Sequence, residues 1–139
     1  AVCHEGGCIF RPPSVRLRFS RISLRGMPLA SAMRAFSLRL PLLASLDLQG
    51  SDASASDVVL IPQCFPALSR LDLSGCDAIT DCALAALARG LPGLQEVRLS
   101  GCRDVSDLGL AALVICCTRL RALDLGWCDI SDRGLLPLR

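Results

Sequence analysis

Leu71–Asp81 reads LDLSGCDAITD. The phrase returns at Val97–Asp107 as VRLSGCRDVSD and at Leu123–Asp132 as LDLGWCDISD. A chain that rewrites one phrase at a fixed interval is built of stacked units, so the interval decides the fold before any single residue does. Aligned on the pattern apolar-x-x-apolar-x-Leu, five registers appear: Phe19, Ile22, Leu24; Leu43, Leu46, Leu48; Leu68, Leu71, Leu73; Leu94, Val97, Leu99; and Leu120, Leu123, Leu125. Their central residues step by 24, 25, 26 and 26.

Two periodicities alternate inside each unit. In Arg70–Ser74 leucine alternates with polar residues, the period of a half-buried strand. A turn follows at Gly75-Cys76-Asp77, and Thr80-Asp81 then reads as a helix start, with a hydroxyl and a carboxylate for the unpaired N–H groups. Leu84, Leu87 and Leu91 fall at helical spacing, and Gly90-Leu91-Pro92 ends the helix. Ser106-Asp107 with Leu110, Leu113 and Cys117 repeats this, and Asp81, Asp107 and Asp132 are expected to cap their own helices at roughly 0.3–1 kcal/mol each. The first unit is looser, with Pro28 near a helix start and Leu29, Met33, Phe36 and Leu40 on one face. In the second, Pro62 is expected to permit only a short or broken turn.

A strand and a helix per ~25 residues cannot bury an apolar face alone; stacked, the strands form a parallel concave sheet and the helices line the convex side. The stretches LSRLDLSGCDAITDCALAALARGLPG and LQEVRLSGCRDVSDLGLAALVICCTR follow L-x-x-L-x-L-x-x-C-x-x-I-T-D-x-G-L. The sequence thereby resembles the leucine-rich-repeat family, in its cysteine-containing subclass common among F-box ubiquitin-ligase receptors. The expected fold is an α/β leucine-rich-repeat solenoid of about five strand–helix units, near 19–42, 43–67, 68–93, 94–119 and 120–139. They form one domain over 15–139 after a flexible leader at 1–14. Ser51 replaces the motif cysteine in the second unit and Pro28 falls near that place in the first.

Composition agrees with thin, similar layers. Leucine fills 27 positions and aromatic residues only 4% of the chain. The longest apolar run, Leu110–Cys117, is far short of the ~18 residues a membrane span needs. All fifteen basic residues are arginine, so no side-chain amine is available for acetylation or ubiquitination. Residues 1–46 hold seven arginines against Glu5, and residues 47–139 hold eight against twelve acids, so +6 gives way to −4. The basic third suits acidic protein, anionic lipid or nucleic acid, or simply a solvated first repeat. Nucleic acid is disfavoured, since no aromatic residues interleave with the arginines to stack bases. Residues 10–40, rich in Arg and Ser, also have the composition of an organellar transit peptide.

Nine cysteines, an odd number at repeat-locked places, read as thiols in a reducing intracellular compartment, cytoplasmic, nuclear or mitochondrial. Cys76, Cys102 and Cys128 should form one buried column as packing residues. They are 26 residues apart, unlike the paired spacing zinc requires, so no metal or other cofactor is expected. Cys3-His4-Glu5-Gly6-Gly7-Cys8 carries two thiols and the single histidine but no second ligand pair. With one histidine, no Ser-His-Asp or Cys-His arrangement is expected, and the chain reads as a non-enzyme.

What remains is surface. Strand residues between the core leucines face the concave side. They form three columns: Arg21, Ser45, Arg70, Glu96, Ala122; then Ser23, Asp47, Asp72, Arg98, Asp124; then Arg25, Gln49, Ser74, Ser100, Gly126. The charged members (Arg21, Arg25, Asp47, Arg70, Asp72, Glu96, Arg98 and Asp124) are candidate partner contacts. So is Trp127, which stands at the rim where Gly75 and Gly101 occur in earlier units. Leu135, Leu136 and Leu138 form an exposed C-terminal layer that a partner or a further repeat would cover. The expected function is a protein-interaction scaffold, a structural or adaptor subunit. The resemblance implies an alternative, the substrate-recognition part of a cullin-type ubiquitin ligase with a Skp-type adaptor.

Overall fold

The structure is a computed structural model that describes residues 16–18 and 27–135. Among the described residues five short strands form one parallel sheet in chain order: β1 Arg16–Arg18, β2 Ser45–Asp47, β3 Arg70–Asp72, β4 Glu96–Arg98 and β5 Ala122–Asp124. Helices α1 Leu29–Ser37, α2 Ala55–Cys64, α3 Asp81–Gly90, α4 Asp107–Cys116 and α5 Asp132–Leu135 alternate with them, each packed on the helix before it. Leu46, Leu71 and Val97 stack in register across β2 to β4, and Leu48, Leu73 and Leu99 stack beneath the turns that follow. Leu84, Leu87, Leu110 and Leu113 close the core from the helix side, all fully buried.

Helix starts fall where the hydroxyls stand. Thr80 accepts from Ala83 N and Ser106 from Leu108 N, while Ser54 and Asp57 make a reciprocal capping box at α2. The box bears on Pro62, since α2 runs ten residues instead of the expected broken turn. Pro62 lies in the last turn, where its missing N–H removes one helical bond, and Phe65 N still reaches Ile61 O at 2.9 Å. The helix is correspondingly tight against α3: a Cβ at Gly90 would lie 2.5 Å from the Pro62 ring.

The first unit departs from the expected register. β1 pairs as Arg16↔Ser45, Leu17↔Leu46 and Arg18↔Asp47, five residues ahead of the Phe19, Ile22, Leu24 alignment. Two overlapping alternations, one through Val15, Leu17 and Phe19 and one through Ile22 and Leu24, compete here, and β2 takes the first. Its step to β2 is 29 residues rather than 24. Arg16 and Arg18 therefore occupy the register positions expected of Arg21 and Ser23. Arg21, Ser23 and Arg25 lie outside the described residues, as do the leader at 1–14, the Cys3-His4-Cys8 cluster, Leu136 and Leu138. In α1, Leu29 and Met33 are buried and Phe36 sits at the surface, while Leu40, beyond the helix, is half-buried.

A second ladder joins the helices. Asp81 does not cap only its own helix: its carboxylate accepts from Ser106 N at 2.8 Å, Ser106 Oγ at 2.5 Å and Gly109 N at 3.0 Å, all in the next unit. Asp107 repeats this one layer on, accepting from Ser131 N at 2.8 Å and from Ser131 Oγ. These bonds hold the Asp107 carboxyl below its ordinary value. Gly109 leaves room for the arrangement, because a Cβ there would lie 2.5 Å from Asp81 Oδ1. Unit three confirms the rule by exception: Ala83 takes the equivalent place, and the preceding helix offers Ala55 where the aspartate would be.

Candidate docking face

The face of the sheet turned away from the helices carries the columns in the expected order from β2 onward. Ser45, Arg70, Glu96 and Ala122 are in register, as are Asp47, Asp72, Arg98 and Asp124. Arg70 Nε meets Glu96 Oε2 at 2.8 Å, so one cross-strand pair is already neutralised, with Arg70 itself 59% exposed.

The aspartates do something the alternation pattern did not foresee. Asp47 Oδ1 accepts from Gln49 N at 3.0 Å, Asp72 Oδ1 from Ser74 N at 2.9 Å and Asp124 Oδ1 from Gly126 N at 3.1 Å. Each carboxylate folds back on the backbone two residues on and shapes the turn that leaves the strand. Asp47 and Asp72 are consequently buried, at 2% and 8% exposure, and offer a partner little; Asp124 remains exposed. Arg98, in the same column, makes no such bond and extends into solvent.

The turns need a left-handed residue, supplied by Gly50, Gly75 and Gly101 at φ 65°, 73° and 82°. Their N–H groups donate to the next unit, as Gly75 N does to Ser100 O at 2.8 Å. Trp127 occupies the equivalent place at φ 62°, a conformation that costs a bulky residue about 1–2 kcal/mol. Its side chain is 87% exposed, so packing on the protein's own core does not offset that strain. Leu135, the last described residue, is 41% exposed.

Beneath the turns run the cysteines. Cys76 Sγ donates to Leu48 O at 3.2 Å, Cys102 Sγ to Leu73 O at 3.1 Å and Cys128 Sγ to Leu99 O at 3.0 Å, each thiol tying its turn to the strand before it. Ser51 starts the column, buried, with its hydroxyl 3.8 Å from Cys76 Sγ. Burial pushes the Cys102 thiol up to about 12 and Cys117 to about 11, and raises Cys76 and Cys128. Native protein is therefore expected to react with a thiol reagent rapidly at exposed Cys82 and only on unfolding at Cys76, Cys102 and Cys117, read by mass spectrometry of labelled peptides. The pH dependence has the matching sign. A thiol held protonated by the fold contributes stability that is complete below its unfolded value of 9.0 and lost as pH rises through about 12 for Cys102. Among the described residues no three His, Cys, Asp or Glu side chains converge as a metal site. No helix of the described residues is long and apolar enough to cross a membrane.

Stacked strand–turn–helix units joined by a parallel sheet define an α/β solenoid. Residues 67–88, 92–114 and 116–138 each match the leucine-rich-repeat family model, and the chain belongs to the leucine-rich-repeat proteins. No curated protein matches it. A solved chain from the TLR13–ssRNA13 complex superposes with TM-score 0.63 at 23% identity, over 88% of this chain and 18% of that one. A chain from the yeast Rad7 and Elc1 complex superposes with TM-score 0.61 at 17% identity, over 85% of this chain and 34% of that one. At these identities the likeness is one of fold, and this chain spans about a fifth and a third of the two neighbours' lengths.

Proposed function

We propose that the chain is a non-enzymatic scaffold that holds a protein partner on the open face of its sheet, as a structural or adaptor subunit of a larger assembly. The observation that carries this is the contrast between the two sides of each strand. The inward leucines, the thiols and the buried Asp47 and Asp72 turns are committed to holding the stack, whereas Arg70, Glu96 and Arg98 contribute to a rigid polar face without being needed for the core, and Asp124 stays exposed there while shaping its turn. Strained, exposed Trp127 at its rim adds the residue type most enriched among interface hot spots. The charges that β2 to β5 leave accessible on this face, Arg70 and Arg98 against Glu96 and Asp124, balance, so it lacks the positive excess a polyphosphate backbone selects, which favours protein.

Recognition of substrates within a cullin-type ubiquitin ligase is the second reading, favoured by the cysteine-containing motif and its thiol-to-carbonyl column. Affinity capture of the native protein at mild salt, with quantitative mass spectrometry, tests both. One fixed set of subunits at equal stoichiometry supports the structural role; a Skp-type adaptor with a cullin supports the ligase role. Recovery of no protein above background contradicts the scaffold reading altogether.

A further inference from the structure

Arg98 is where the second column changes sign. Units two, three and five place Asp47, Asp72 and Asp124 there, each bonded to its own turn, and unit four places an exposed cation. Although it stands in register between Asp72 and Asp124, Arg98 has no ion-pair partner among the described residues. The flanking carboxylates are engaged with their own turns, and Arg98 is left exposed between them. Its neighbour Arg70 is already matched by Glu96. Three grooves along this face, of about 250, 430 and 250 Å³, all have Arg98 in their walls. The first also takes in Ser45, Arg70 and Glu96, and the second reaches Ser100 and Asp124.

We propose that Arg98 is the specificity-determining contact of this face, receiving a carboxylate side chain from an extended segment of the protein partner, with a basic residue of that segment set against Asp124. A planar guanidinium grips a carboxylate through two parallel N–H donations, which fixes orientation as well as charge. Asp124 lies one strand away, about 4.8 Å, so the acidic and basic groups of the partner are near neighbours on its chain. The inference rests on the reading of the sheet face as the docking surface.

A random 12-residue peptide library displayed on phage and selected on the native chain tests it. Selected peptides are expected to share an acidic residue followed or preceded closely by a basic one. Arg98→Asp gives unit four the residue its three neighbours carry, so the fold and melting temperature should be kept. The same peptides should bind this variant at least about tenfold more weakly, and Arg98→Lys should lose less than Arg98→Asp. Selection repeated on Arg98→Asp should return peptides enriched in basic residues instead. Absence of binders, binders without a shared acid, or binding indifferent to Arg98→Asp overturns the proposal. If binding is lost in the ion-pair swap Arg70→Glu with Glu96→Arg yet kept in Arg98→Asp, the face docks peptides and only the Arg98 assignment fails. Indifference to both variants removes the docking face as well.

Discussion

Replacing Gly109 by alanine is expected to destabilise the protein by about 2–4 kcal/mol, the opposite sign to the ordinary gain of roughly 0.5–1 kcal/mol for that change inside a helix. The added Cβ would lie 2.5 Å from Asp81 Oδ1 and 3.1 Å from Leu84 Cδ1, with the Asp81 Cα in ordinary contact at 3.4 Å, so the carboxylate is what must move. If the carboxylate swings aside, Ser106 N, Ser106 Oγ and Gly109 N all lose their acceptor. Hydrogen bonds to a charged group are worth about 1.5–3 kcal/mol each where water cannot replace them, and partial exposure lowers the sum here. The chain already contains the relaxed alternative in Ala55 beneath Ala83. Asp81→Ala combined with Gly109→Ala should therefore cost at least about 1 kcal/mol less than the two single changes added. Urea unfolding of the four proteins measures this coupling; a neutral or stabilising Gly109→Ala would contradict the inter-unit carboxylate ladder.

Phe65→Ala is expected to cost about 3–5 kcal/mol, a large share of the 5–15 kcal/mol that holds a domain folded. Phe65 is fully buried just after α2, in the column that Leu40, Leu91 and Cys117 fill in the other units. Its ring is among the largest fully buried side chains, and its carbonyl accepts Leu68 N at 3.1 Å to start the approach to β3. Truncation leaves a cavity in the packed core, whose walls belong to a stack fixed by its strand and helix ladders and relax only partly. Phe65→Leu, which restores the side chain of the next unit at Leu91, should cost under about 1.5 kcal/mol. The midpoint and slope of denaturant unfolding separate the two variants. A loss below 1 kcal/mol for Phe65→Ala would mean the layers are not packed as described.

The stack itself was legible because its signal is redundant. Leu71, Val97 and Leu123 recur at one interval, and the registers β2 through β5 follow from it residue by residue. Where the phrase is degenerate the reading slipped. Around Leu17 and Ile22 two alternations fit a strand equally well, and only pairing with β2 selects one. Pro62 misled for a different reason: it sits in the last helical turn, so its lost bond and its crowding of the preceding turn come where only two helical residues remain to be placed, and Phe65 N still closes on Ile61 O. The aspartates show a limit of alternation. It put Asp47 and Asp72 in the column with Arg98 and Asp124, yet it could not show that a carboxylate short enough to reach its own backbone buries itself there. The Asp81–Gly109 relation was present in the sequence as the pairings Asp81 with Gly109, Asp107 with Gly134 and Ala55 with Ala83. It required knowing which layers touch.

If the sheet face is the surface that partners read, the swap Arg70→Glu with Glu96→Arg reaches it most directly. Exchanging the two residues keeps their ion pair and inverts the charge pattern of the first column, so melting temperature should be unchanged. Quantitative affinity capture with the native chain and the swapped chain side by side is then decisive. The account predicts that partners enriched by the native protein fall by about tenfold or more on the swapped one. Equal recovery of the same partners by both would contradict it and place the docking surface elsewhere on the solenoid.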